Sequence, residues 1–405
     1  MIDCPHTTPI FRNDGVLIAR TFNIRNGNFN ELSASRVSEE EYRQRVARLE
    51  PQTGDVIFTR EAPVGEAFIV PMGMRICLGQ RTMLLRPDST KAIASYVLAQ
   101  IYSGVVRSRI EQLVAGTTNP HLNVADVRPF LMPVPSLPEQ QGIAEILDTV
   151  DEAIARTSSL IIKLKQTKAG LQQDLLTRGL DEHGKLRDPQ AHPEQFKDSP
   201  LEQIPRDWEI ESLNNVCSSI VDCPHTTPVF QNEGILVART SNIRDGVFNQ
   251  TEVSYVSKKE YFQRIARLKP QSGDIIFTRE APVGEAFTIP KNMEICLGQR
   301  TMLLRPNIDK AYPDYLIAQI YSGSVRARIN QLVGGTTNPH LNVADVRTFL
   351  LPVPSCKEQA QIASVLNIYH TRIRTEEAYL NKLKLQKQGL MQDLLTGKVR
   401  VRTIK

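Results

Sequence analysis

Three polar stretches carry the side chains most able to do chemistry, and each occurs twice. The first, ARTFNIRNG, holds Arg20, Asn23 and Arg25; its repeat holds Arg239, Asn242 and Arg244. The second, FTREAPVGEAF, sets Arg60 beside Glu61, and its repeat sets Arg279 beside Glu280. The third, GTTNPHLN, holds Thr117, Thr118, Asn119, His121 and Asn123, repeated as Thr336, Thr337, Asn338, His340 and Asn342. Arg81 and Arg300, each within GQRT, join the set. An arginine fork fits a guanine edge or a phosphate, and an asparagine amide fits an adenine edge. Threonine, histidine and backbone N–H groups suit phosphates, and threonine also suits the thymine methyl. Each type also has a plainer use: a surface salt bridge for the arginines, a helix N-cap for Asn123, a loop hydrogen bond for His121.

No catalytic signature accompanies them. The chain has no phosphate-cradling G-x-x-x-x-G-K-[ST], no G-x-G-x-x-G, no G-x-S-x-G and no H-E-x-x-H. Asn119-Pro120 is followed by His121 rather than by the Pro-Tyr of an aminomethyltransferase motif. Cys4 lies two residues before His6, half of a metal site, but further ligands are not evident and Asp-Cys-Pro reads as a turn. No catalytic or metal-binding residue is assigned.

The elements that must position these stretches follow from an internal repeat. Adding 219 to a position in the first half gives its partner in the second: Asp3 meets Asp222, Arg60 meets Arg279. The register holds without a gap from Met1 to Thr177. Such a period is too long for a solenoid and marks a duplicated domain. In each copy, runs such as GVLIARTFNI and GDVIFTREA read as strands edged by turn residues. SEEEYRQRVARL, IASYVLAQIYS and VVRSRIEQLV read as helices, giving a mixed α and β domain.

Each globular domain is followed by a long helical run that opens on a capping-box spacing, Ser136 to Glu139 and Ser355 to Glu358. Apolar residues then recur in alternating steps of four and three: Ile143, Leu147, Val150, Ile154 in one run, Ile362, Leu366, Tyr369, Ile373 in the other. That is a coiled-coil seam, interrupted at matching steps by Thr157 and Lys168 and by Glu376 and Lys387. From Glu139 to Thr177 the helix is roughly 57 Å long. The fold expected is α+β, with two similar domains (1–135 and 207–354) alternating with helices at 136–178 and 355–398. A polar, Pro-rich linker spans 179–206 and a tail 399–405. The two helices are expected to pair as an antiparallel coiled coil and hold the domains apart. The second domain spends IPRDWEIESL before its Asp222, whereas two residues precede Asp3, so the first domain is expected to be incomplete at its start.

The 405 residues have a formal charge of +5, which permits an acidic partner without demanding one. No apolar run is long enough to span a membrane and no signal peptide is evident. Six cysteines without a C-x-x-C suit a cytoplasmic protein with reduced thiols.

Several segments together carry a family likeness: PVPSLPEQQGIAEILDTVDEAI, KLKQTKAGLQQDLLT, KLKLQKQGLMQDLLTGKVRV, GTTNPHLN ahead of a Pro-rich exit, and IPRDWEIESL. In these the chain resembles the specificity subunit of a type I restriction-modification system, over nearly its whole length. The resemblance implies two target-recognition domains on double-stranded DNA and a non-catalytic role. It implies recruitment of two methyltransferase subunits that bring S-adenosylmethionine and methylate adenine, with restriction subunits using ATP and Mg as further partners. A protein-binding scaffold without DNA recognition and a self-contained DNA-modifying enzyme are the alternatives.

Overall fold

The computed structural model describes residues 1–102, 104–118, 120–321, 323–335 and 339–401. The chain divides into two compact units, Met1–Ser159 with Glu377–Lys405, and Leu160–Glu376.

In the first unit a four-stranded antiparallel sheet runs in the order Ile2–Asp3, Thr82–Leu85, Val56–Thr59, Ala67–Ile69. Its central strands read VIFT and TMLL and are buried throughout, because both faces are covered. Successive side chains of a strand point to opposite faces, and the core divides accordingly. Val56, Phe58, Met83 and Leu85 pack with Ile101, Val106 and Ile110 of the helices Ala94–Ile101 and Gly104–Val114. Ile57 and Leu84 face the other way, onto Leu17, Ala19, Ile76 and Leu78. The last four belong to a small sheet, Arg36–Val37, Val16–Ala19, Ile76–Leu78, whose last pair is parallel.

The second unit repeats this strand order at the 219-residue offset. Thr301–Pro306 and Ile275–Thr278 are central strands; Ile275 and Phe277 face the helices Pro313–Ile320 and Gly323–Val333 while Ile276 faces the small sheet. It also has elements the first unit lacks. Its outer strand, Cys217–Asp222, is six residues long against two for Ile2–Asp3, and Glu209–Ser212 pairs with Leu350–Val353. In the first unit, residues 131–134 form no strand, and Leu131 is 85 % exposed.

The two long helices span Leu137–Thr177 and Cys356–Leu395. Within the first unit, Ile143 and Leu147 at the start of the first helix share a core with Leu394 and Leu395 at the end of the second. Within the second unit the ends are exchanged: Leu175 and Leu176 pack with Ile362 and Leu366. The pairing is therefore antiparallel, as its seam predicts. Of the polar steps, Lys387 makes an ion pair with Asp151 at 2.6 Å. Lys168 is half-buried, and that burial lowers its ammonium pKa.

The capping-box expectation holds only in part. Ser355 Oγ accepts from the Glu358 backbone N–H at 3.3 Å, but the two glutamates do not fold back on their own helix ends. Glu139 pairs with Arg400 at 2.6 Å, and Glu358 with Arg187 at 2.7 Å. An arginine from the segment after a long helix neutralises the buried carboxylate more fully than one backbone N–H can. Each globular domain is tied to a long helix by a second device. Gln140 accepts from Ile93 N–H at 3.1 Å and donates to the carbonyls of Lys91 and Pro135. Gln359 repeats this with Tyr312, Lys310 and Pro354.

Candidate nucleic-acid interface

A threonine hydroxyl and backbone pairing bring the three polar stretches of each copy together. Thr21 Oγ1 donates to the Ala62 carbonyl at 3.0 Å, joining the first stretch to the second. Glu61 bridges His121, and Leu122 N–H donates to the Arg60 carbonyl at 2.9 Å, joining the second to the third. In the second copy Thr240 reaches Ala281 at 3.1 Å, Glu280 bridges His340, and Leu341 N–H donates to Arg279 at 2.9 Å.

The side chains separate into two groups. Four expected readers are not available at the surface. Asn23 and Asn242 are 2 % and 3 % exposed, with their amide N–H groups held by Ser33 Oγ in one case and by the Asn249 and Glu252 carbonyls in the other. They brace the turn that follows them. Arg60 and Arg279 are each 7 % exposed. Arg60 donates to the Leu122 carbonyl at 2.9 Å and pairs with Asp3 at 2.9 Å; Arg279 does the same with Leu341 at 3.0 Å and Asp222 at 2.9 Å. A buried guanidinium needs such a neutralising partner, and Asp3 and Asp222 supply it.

The second group faces solvent. Arg25 and Arg244 are exposed and brace their own turns, donating to the carbonyls of Thr21 and Ile24 and of Thr240 and Ile243. Arg81 pairs with Glu61 at 2.9 Å and Arg300 with Glu280 at 3.0 Å, both arginine side chains more than half exposed. Such pairs are weakly held in water and can exchange a carboxylate for a phosphate. Thr117, Thr118, His121 and His340 are exposed; Thr117 donates to the Val114 carbonyl and His340 lies 3.0 Å from Asn342 Oδ1. Asn119, Thr336, Thr337 and Asn338 lie outside the described residues. Asn123 precedes a short helix, Val124–Val127, and its backbone N–H donates to Asp126.

Arg20 is held differently from its counterpart. Its guanidinium lies 4.3 Å from the Phe11 ring and 4.4 Å from the Phe22 ring, and Nη1 donates to Ser35 Oγ at 3.2 Å. Arg239 makes the same bond to Ser254 but has one ring, Phe230, at 5.2 Å. The rings of Phe11 and Phe22 carry no polar atoms, so a search for polar readers passes over them. Two further supports also lie far from the stretches in sequence. Tyr102 accepts from Gly27 N–H at 3.0 Å and donates to Glu66, which accepts from Asn26 N–H at 2.7 Å. Burial pushes the Tyr102 hydroxyl up to about 12, so it stays a proton donor at neutral pH. Tyr321 and Glu285 repeat the arrangement. The recurrence of Tyr-Ser-Gly and Gly-Glu at the 219-residue offset was the available signal.

The Cys4–His6 pair does not converge: Cys4 is buried in the core while His6 is exposed beside Asp3. Among the described residues no three His, Cys, Asp or Glu side chains gather as a metal site.

Residues 20–166 and 205–385 match the type I restriction modification DNA specificity domain. The type I restriction enzyme EcoKI specificity subunit of Escherichia coli K12 is 25 % identical over 399 residues, covering 95 % of this chain and 82 % of that protein. The MjaVIII specificity subunit of Methanocaldococcus jannaschii is 26 % identical over 305 residues, 73 % of this chain and 68 % of that one. The fold matches the crystal structure of a type I restriction-modification S subunit from M. genitalium, with a TM-score of 0.58 at 14 % identity, covering 97 % of this chain and 96 % of that one. With most of each copy of the repeat inside the matched residues, the chain belongs to the family of type I restriction-modification DNA specificity subunits.

Proposed function

We propose that each of the two globular domains reads one half of a split DNA site, and that the two half-sites are nearly the same. The observation that carries this is the convergence of three duplicated stretches on a solvent-facing set of arginines in each copy. Arg20, Arg25 and Arg81 recur as Arg239, Arg244 and Arg300, supported by the same bonds. Base edges differ in their donor and acceptor patterns, so like side chains on a like frame choose like bases. Thr117, Thr118, His121 and His340 serve the phosphates beside those bases.

On this reading the chain supplies specificity and its partners supply chemistry. Two methyltransferase subunits carrying S-adenosylmethionine methylate an adenine in each half, and restriction subunits with ATP and Mg complete the restricting complex. No helix among the described residues is long and apolar enough to cross a membrane, and the cytoplasm, where the DNA lies, is the proposed location. Long-read methylome sequencing of a host carrying the complete system tests the proposal. It is expected to return two near-identical half-sites on opposite strands around an unspecified spacer. Two unrelated half-sites overturn the proposed set of readers.

A further inference from the structure

We infer that the Phe11–Arg20–Phe22 stack is a preset guanine-reading fork, and that it makes the half-site read by the first domain the stricter of the two. This rests on the DNA-reading role proposed above. The rings do not belong to any core: Phe11 is 42 % and Phe22 47 % exposed, and Ile10 beside them is 74 % exposed. Water-facing aromatic rings 4.3 and 4.4 Å from a guanidinium hold it by attraction to the ring faces. Neither ring carries a polar atom, so these contacts occupy none of the guanidinium's N–H donors. Nη1 is engaged by Ser35, whereas Nε and Nη2 bond to no described residue, so an Nε/Nη2 edge remains for the O6 and N7 acceptors of guanine. A fork already fixed loses less freedom on binding than a free one.

The second domain lacks half of this device. Ser241 stands where Phe22 stands in the first, and the remaining ring, Phe230, is farther away at 5.2 Å. Arg239 is exposed where Arg20 is half-buried, although the serine contact is the same at 3.2 Å. Arg239 therefore searches more rotamers and tolerates a substituted base better.

The test uses the full chain with its methyltransferase partners, and duplexes carrying the methylome-defined site with each base of each half replaced in turn. The unmodified complex is expected to discriminate about 2–5-fold more strongly at one guanine of the first domain's half-site than at its counterpart. Phe22→Ser is expected to remove that excess, Ser241→Phe to create it in the other half, and Phe22→Tyr to preserve it. Equal discrimination in the two halves of the unmodified complex overturns the inference. So does a Phe22→Ser protein that folds and binds with its base preferences unchanged, since a merely structural stack would alter stability alone. Absence of any DNA binding by the unmodified complex overturns the broader reading as well.

Discussion

The Trp208 indole N–H donates to Glu358 Oε2 at 3.1 Å, and both residues are buried although 150 positions apart in the chain. The other carboxylate oxygen accepts from Leu180 N–H at 2.8 Å and from Arg187 at 2.7 Å. One glutamate at the start of a long helix thus fastens the linker and the opening of the second domain. Gly179, at φ +64°, is needed because a Cβ there would run into the Trp208 ring. Glu358→Ala leaves the buried indole N–H without its acceptor and an almost buried arginine with only the exposed Asp207 carboxylate as its ion-pair partner. It is expected to destabilise the chain by roughly 3–5 kcal/mol, read by urea unfolding followed through the single tryptophan. Unchanged unfolding would remove this anchor from the account.

The matching anchor in the first unit predicts a pH dependence. Arg400 beside Glu139 holds that carboxyl below its usual range. A depressed folded-state value stabilises above the unfolded value, near 4.3 for a glutamate, and the gain disappears as pH falls through the depressed value. Arg400→Ala is therefore expected to lower the melting temperature slightly at pH 7, with the difference from the unmodified chain closing as the solution is acidified below about pH 4. The effect is small because the arginine is largely exposed. A difference that persists in acid would assign the effect to something other than the charge pair.

These anchors show where reading the chain in order succeeds and where it stops. The helical seam, the duplicated domain and the strand runs are legible because their information is local: a period of 3.5 or 2, or a fixed offset of 219. Glu358 looks like a capping residue by the same local logic, because its partners at positions 180, 187 and 208 come near only on folding. Arg60 looks like a surface reader for the same reason. Nothing in FTREAPVGEAF announces that Asp3 will meet its guanidinium. Polar residues alone do not declare an interface, since a paired, buried arginine and a solvent-facing one have the same sequence context.

The seam should fail where it is apolar. Leu147 and Leu394 are 4 % and 5 % exposed in a core shared with Tyr96 and Ile143. Leu147→Ala is expected to cost about 2–5 kcal/mol, as for large-to-small changes in packed cores. Val105→Ala, at a position 51 % exposed on a domain helix, should cost far less and serves as the control in thermal unfolding. Equal effects at the two sites would contradict the pairing of helix ends described above.

The cysteines offer a probe of the folded state. Cys4, Cys77, Cys217, Cys223 and Cys296 are buried, and Cys356 alone is exposed. Burial pushes the thiols of Cys77, Cys217 and Cys296 up to about 12 and raises that of Cys223. These remain protonated and unreactive at neutral pH. Iodoacetamide is expected to add one group to the native chain, at Cys356, and six after denaturation, counted by intact mass. Rapid modification of Cys77 or Cys296 in native buffer would mean that the central layers open readily.

The sharpest separation between holding the fold and reading DNA is between Arg60 and Arg81. They are adjacent through the backbone, since Arg60 N–H donates to the Arg81 carbonyl at 2.8 Å. Their side chains nevertheless have opposite surroundings. Arg60 is buried on Asp3 and the Leu122 carbonyl, so Arg60→Ala leaves a buried acceptor unsatisfied and should cost about 1–3 kcal/mol of stability. Among the described residues the Arg81 side chain pairs with Glu61 and is 58 % exposed, so Arg81→Ala should leave stability within about 0.5 kcal/mol. DNA binding should respond in reverse. Arg81→Ala is expected to weaken binding and, where the contact is a phosphate, to reduce the slope of log affinity against log salt by about 1. Arg300→Ala should act alike in the second domain. Titrations over a range of salt, with unfolding curves on the same preparations, check both halves. A stable Arg60→Ala protein with altered base preference would return Arg60 to the readers, and an Arg81→Ala protein with unchanged affinity and slope would remove Arg81 from them.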